Sequence, residues 1–432
     1  MADTTVAIPA KDSGIAFPAT TAREGVLTWW HVATSDMRRA WMAASLGWML
    51  DMFDVQLYAL VLAALITDLG MAKSVAGLLG SATLLAAAAG GVMFGVFADR
   101  YGRTRAMMTS IIIYSIATGA SGLAQTIVQL AILRVFVGIG MGGEWATGAA
   151  LVAETFSTAH RQKALAYMQS FAAFGLIAAP IVTALVMPTW GWRAVFFVGV
   201  LPALLVFWIR RGVKESRMWE AVRSAPVAER GRFSDMFHGR LLPITVVVTL
   251  MHACSGFAWW GLNLWIPAYL SLSVSQGGIG LSTQMMSGLM VAQYIGQWFG
   301  YVTFGYASDR YGRRVSSMVY LVAAAVAVLA YVATSDPLFL LFLGPLVALF
   351  GTGHLSGFAA ISAELYPTAI RGRAQGFTYN VGRVASAVAP FTVGTLAQSR
   401  GFAAALSLTA VAFVVSAVMW IWIPETKGRA LE

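Results

Sequence analysis

Cysteine occurs once in 432 residues, at Cys254, and charged residues make up only 11% of the chain. A single cysteine excludes a disulfide framework and any cysteine-rich metal site; inside an apolar stretch it reads as a small buried hydrophobe. No G-x-x-x-x-G-K-[ST] loop is present, so nothing supports transport driven by ATP. No H-E-x-x-H or paired-cysteine motif points to a metalloenzyme, and neither a metal nor a cofactor is expected. With 58% of residues hydrophobic, the chain carries more apolar surface than a soluble domain of this length hides, and lipid must be its solvent. The net charge of +10 does not indicate nucleic acid, because the basic residues stand in short clusters between hydrophobic runs, as topology signals do. The first 40 residues lack an apolar core followed by a small-residue cleavage site, so no removable signal peptide is expected.

Apolar runs long enough to cross a ~30 Å hydrocarbon core fall at about 41–64, 77–98, 107–124, 126–150, 164–187 and 193–209. A second set falls at about 242–267, 287–307, 315–334, 338–362, 375–397 and 402–423. Twelve spans put both termini on one side. All but five of the 29 Lys and Arg lie in the tails and loops of that side; Lys73, Arg193 and Arg400 lie opposite, and Arg134 and Arg383 lie inside spans. Under the positive-inside rule the loaded side, with both termini, is cytoplasmic. The expected organisation is a tail at 1–40, a six-helix bundle at 41–209, a linker at 210–240, a second bundle at 241–423 and a tail at 424–432. The fold class is therefore all-α, in two pseudo-symmetric six-helix bundles.

The two halves repeat. G-V-F-A-D-R-Y-G-R at 95–103 returns as G-Y-A-S-D-R-Y-G-R at 305–313, an offset of 210. The same offset carries Glu154 onto Glu364, Arg161 onto Arg371, Pro180 onto Pro390 and Glu215 onto Glu425. Two six-helix halves in parallel repeat place a ligand site between them near the midplane, reached from alternate sides by rocking. The repeated G-x-x-x-D-R-x-G-R-[RT] resembles the signature of the major facilitator superfamily, over roughly residues 40–427. R-V-F-V-G-I-G-M-G-G-E-W at 134–145, with Glu154 beyond it, is similar to the sugar-porter and metabolite:proton-symporter branches. So are K-E-S-R-M-W at 214–219 and I-P-E-T-K-G at 423–428. D-M-F-D at 51–54 looks more like the sialic-acid, lactate and aromatic-acid permeases. The resemblance implies a monomeric secondary transporter of a bacterial inner membrane.

Asp99, Arg103, Glu154 and Arg161, with their counterparts Asp309, Arg313, Glu364 and Arg371, stand at the ends of spans on the loaded side. Carboxylates there are favoured by helix N-termini and by bidentate arginine. They are expected to form a cytoplasmic latch between helices. The glycines of 138–143 are packing positions that also bring Arg134 and Glu144 toward the first span.

An ionised side chain at the bilayer centre costs roughly 2.5 to 3.5 kcal/mol, so such residues default to function. Asp51 and Asp54, at i and i+3 with Tyr58 one turn further, are expected to share a face that looks into the cavity. Close carboxylates in a low dielectric repel, and one of them is the expected proton carrier. By similarity to proton-coupled sugar porters, Asp54 would pair with Arg134. Glu144 stands about 15 Å along the helix from Arg134, too far for a direct pair, and is either a second proton site or a structural acceptor. His252 and His354 are further titratable groups, more often packing residues than actors.

Arg383, on one face of the eleventh span with Tyr379 and Asn380, offers a permanent fork for a carboxylate. With Trp259, Trp260 and Asn263 of the seventh span, Gln293 and Gln297 of the eighth, and Tyr58, it outlines a pocket for an organic ligand. A fixed cation there favours proton-coupled uptake of a small organic anion, with a monocarboxylate such as lactate first and sialic or aromatic acids next. A neutral sugar or polyol is the alternative; a membrane enzyme and a non-transporting sensor are the other classes.

Overall fold

The computed structural model describes residues 28–156, 158–215, 233–367 and 370–427. The outer parts of the expected 1–40 and 424–432 tails, and the middle of the 210–240 linker, lie outside the described residues. Eight of the described helices are long and apolar enough to cross a membrane. Two of these are really pairs, folded back at Gly191 (φ 74°) and Gly401 (φ 83°). The remaining two spans, Arg103–Ser121 and Thr283–Tyr311, are helical over their whole length but more polar.

In the first half, span 1 is Ser35–Asp68, span 2 Lys73–Tyr101, span 3 Arg103–Ser121 and span 4 Ile127–Thr155. Span 5 starts at Thr158 and runs to the Gly191 fold; span 6 follows it, interrupted at 199–201 and completed by Pro202–Gly212. In the second half, span 7 is Leu241–Ser271, span 8 Thr283–Tyr311 and span 9 Arg313–Val332. Span 1 begins earlier than its apolar run, because Thr34 caps it and a short helix, Thr28–Val32, tucks Trp29 into the bundle.

Two spans depart from single helices. Span 10 is α-helical from Pro337 to Gly353, tightens to a 3₁₀ turn at His354–Gly357 and resumes at Phe358–Leu365. Span 11 is Arg371–Ser386 followed by a new helix from Ala389, whose second residue, Pro390, lacks the N–H that a continuing helix needs. Span 12 follows Gly401 and ends at Met419.

The halves meet where span 2 packs on span 11, span 1 on span 7 and span 8 on the Thr158–Val198 helix. They are joined at one end: Lys73 Nζ donates to the Gln276 carbonyl at 2.5 Å and lies 4.8 Å over the Phe402 ring. Nearby, the Ser74 N–H donates to Gln398 Oε1 and the Phe391 N–H to Ser81 Oγ, both at 3.1 Å. At the opposite end, where Asp99 and Asp309 sit, no ion pair crosses between the halves among the described residues. The structure is thus closed on the Lys73 side.

Candidate functional site

The duplicated motif builds the same clip twice. Arg103 bonds Asp99 at 2.6 Å and Glu154 at 2.9 Å; Arg313 bonds Asp309 at 2.7 Å and Glu364 at 3.4 Å. Each clip ties spans 2, 3 and 4, or 8, 9 and 10, within one half. Glu215 accepts from the Arg103 N–H at 2.8 Å and Glu425 from the Arg313 N–H at 3.0 Å, each covering the orphan amides of a helix start. Burial works against the Glu425 charge, yet backbone N–H donors outweigh it and hold the carboxyl below its usual range. Gly102 and Gly312, at φ 108° and 98°, make the tight turns, and a Cβ on either would strike the capping glutamate. The Arg371 side chain lies outside the described residues; Arg161 stands at the start of span 5.

Inside the first half, the acidic residues form a buried cluster. Asp51, Asp54, Arg134 and Glu144 are each 2% exposed or less. Gly47, one turn before Asp51, leaves the space that Glu144 fills, so span 4 brings Glu144 beside Asp51 within electrostatic reach. Both Glu144 oxygens and Asp51 Oδ1 are without hydrogen-bond partners among the described residues. Gly138 and Gly142 let span 4 pack closely on span 2, lying against the Thr83 and Ala87 carbonyls.

Asp54 does not share the cavity-facing surface expected of it. Its Oδ2 accepts a short hydrogen bond from Thr118 on span 3, and Oδ1 lies against Gly199 of span 6, so it faces the interior of the first half. Nor do Asp54 and Arg134 form the expected ion pair: Arg134 places its guanidinium 4.6 Å over the Tyr58 ring, with Nε and Nη1 unbonded among the described residues. A helix face spans more than one neighbour, and residues three apart on span 1 meet different helices.

The expected pocket residues divide into two levels. Toward the Lys73 side, a small cavity is lined by Tyr58, Arg134, Thr83, Trp260 and Asn263. Trp259 is buried and takes no part in it. Asn263 donates to Gln56 at 2.9 Å and accepts from Tyr294 at 3.2 Å, joining span 1 of one half to spans 7 and 8 of the other. Gln293 is buried with its amide nitrogen unbonded among the described residues, and Gln297 donates to Tyr301 at 2.8 Å. Toward the clip side lie Arg383, Tyr379 and Asn380, the last two exposed. Arg383 is within electrostatic reach of Asp51 but makes no ion pair among the described residues, and its Nε is buried without a hydrogen-bond partner among them. Asn380 is turned back onto the Gly376 carbonyl at 2.8 Å. Tyr379 stacks on Trp145 of span 4, ring centroids 5.6 Å apart and 26° from parallel.

His252 donates its Nδ1–H to the Val248 carbonyl, 2.9 Å away, and His252 and His354 both pack against Phe358 inside the second half. Gln56, Thr118 and Trp145 were missed by sequence reasoning. Gln56, a lone amide in an apolar helix, carried a usable signal; the others carried none.

A helix bundle and its repeat, with buried Asp51 on one side of their interface and half-buried Arg383 on the other, define a secondary transporter of the multi-pass membrane class. The model of the Major Facilitator Superfamily matches residues 44–283 and 248–432, and the chain belongs to that family. It is 33% identical over 421 residues to a probable 4-methylmuconolactone transporter of Cupriavidus pinatubonensis, covering 94% of this chain and 95% of the relative. It is 31% identical over 390 residues to the sialic acid transporter of Escherichia coli, covering 89% and 93%. A solved D-xylose-proton symporter superposes with a TM-score of 0.76 at 20% identity, over 92% of this chain and 100% of the other, which supports the fold. The relatives are transporters of metabolites and organic acids, not enzymes.

Proposed function

We propose that this protein is a proton-coupled symporter of a small organic anion. The observation that carries the reading is Arg383: a permanent cation at the interface of the halves, with Asp51 in electrostatic reach and no ion-pair partner among the described residues. A ligand carboxylate and the Asp51 carboxylate are alternative counter-ions for Arg383. Protonating Asp51 frees the guanidinium for the ligand, and the ligand then ties the second half to the first. Proton and anion thereby enter together. Glu144, unbonded beside Asp51, is a second place for that proton, since two adjacent buried carboxylates resist simultaneous ionisation. Asp54, held by Thr118, and Arg134, over Tyr58, transmit the change to spans 3 and 4.

The relatives named for sialic acid and 4-methylmuconolactone support the ligand class, and the clustering of Lys and Arg supports cytoplasmic termini. The clips around Arg103 and Arg313 are proposed to stiffen each half so that it rocks as one body. The test is uptake into proteoliposomes under an inward proton gradient, screened over small acids and sugars. Asp51→Asn is expected to abolish accumulation while preserving counterflow exchange. Gradient-driven accumulation at the native level in that variant would sink the coupling role, and uptake of neutral sugars alone would favour the sugar-porter reading.

A further inference from the structure

Each half presents the interface with an aromatic residue one helical turn from a charge. On span 1, Trp48 and Asp51 are three residues apart; on span 11, Tyr379 and Arg383 are four apart. Residues at these spacings share a helix face, with a rise of about 4.5 to 6 Å between them. Trp145, adjacent to Glu144 on span 4, completes the set. Its ring lies 6.3 Å from Trp48 and is stacked 5.6 Å from Tyr379. Among the described residues this is the ring–ring contact that crosses between the halves. Tyr379 is 40% exposed, so the stack borders open space rather than a sealed core. The Trp48 indole N–H is buried and unbonded among the described residues, and Trp145 is fixed from behind by its N–H to Gln169 at 3.2 Å.

Resting on the anion reading of Arg383, we propose that Trp145 and Tyr379 form a clamp that selects planar, conjugated carboxylates over saturated ones. A flat ligand enters between the two rings, exchanging one stacked contact for two, while its carboxylate reaches Arg383 one turn along span 11. A puckered or tetrahedral carbon skeleton separates the rings without stacking on either and forfeits the contact already there. One or two stacked contacts correspond to a preference of about tenfold. The clamp also ties ligand to conformation, because one ring belongs to each half.

The experiment is equilibrium binding to the full-length protein in detergent, with acids matched in size and charge: benzoate against cyclohexanecarboxylate, and sorbate against hexanoate. The wild type is expected to bind the conjugated member of each pair about tenfold more tightly. Trp145→Leu and Tyr379→Leu should each bring the two members of a pair to equal affinity. Tyr379→Phe, which keeps the ring, should keep the preference and so guards against loss of fold as the cause. Equal affinities in the wild type, or a preference that survives both leucine variants, overturn the clamp and leave the anion reading standing. Binding of no acid of either kind overturns both.

Discussion

Removing Lys73 should open the closed side of the transporter. Its amine is, among the described residues, the charged group that bridges the halves there, through the Gln276 carbonyl at 2.5 Å and the Phe402 ring at 4.8 Å. A hydrogen bond from a charged donor contributes about 1.5 to 3 kcal/mol, and a cation–π contact about 0.5 to 1 at exposed sites. Lys73 is half-buried, so the lower values apply and Lys73→Ala costs about 2 kcal/mol. That is roughly a 30-fold shift in the closed-to-open ratio. The bonds from Ser74 to Gln398 and from Phe391 to Ser81 remain, so closure is weakened rather than lost. Thr83 lines the small cavity beneath this seal and is buried. A Thr83→Cys reporter in a Cys254→Ser background should therefore react about 30-fold faster with an impermeant maleimide from the Lys73 side when Lys73 is alanine. An unchanged rate would refute the claim that this contact holds the halves together.

Thr118→Val leaves the buried Asp54 carboxyl without its donor and should cost about 1 to 3 kcal/mol in thermal unfolding, most of it recovered by adding Asp54→Asn; a neutral single variant would contradict the geometry. Glu425→Gln should speed amide exchange at the start of span 9 near neutral pH. The Glu425 carboxyl is held below its ordinary value, so its stabilisation is present above the unfolded value of about 4.3 and fades as pH falls through the lower folded value. Wild type and variant should then converge in acid, and a difference that persists undiminished there would be inconsistent with charge capping. Asp54→Asn should impair accumulation less than Asp51→Asn, because Asp51 is the carboxylate in reach of Arg383; the reverse order, measured by gradient-driven uptake, would move the coupling role to Asp54.

The repeated clips were legible because a charged pair at helix ends recurs at a fixed offset, and the offset alone brings Glu215 and Glu425 into line with the motif they cap. Span positions followed from hydrophobic length. The breaks in spans 10 and 11 were not legible from that signal, since apolar runs continue through His354 and across Ala387 while the backbone changes course. Spacing along one helix says nothing of the helix opposite. Asp54 met Thr118 and not Arg134, because the inward neighbour of each turn of span 1 is chosen by packing with spans 3, 4 and 6. The proximity of Asp51 to Glu144 likewise rests on Gly47, a residue whose meaning appears only when the helices cross.

Recognition of an organic anion turns on Arg383, and it is tested by equilibrium binding of a panel of radiolabelled organic acids and neutral sugars to purified wild type, Arg383→Ala and Arg383→Lys. Losing one member of a buried charge pair costs about 2 to 5 kcal/mol, so the alanine variant should lose acid affinity by about 30-fold or more. Lysine should retain weak binding, its charge surviving without the fork. Native acid affinity in Arg383→Ala, or a wild type that binds neutral sugars and no acid, would contradict the organic-anion account.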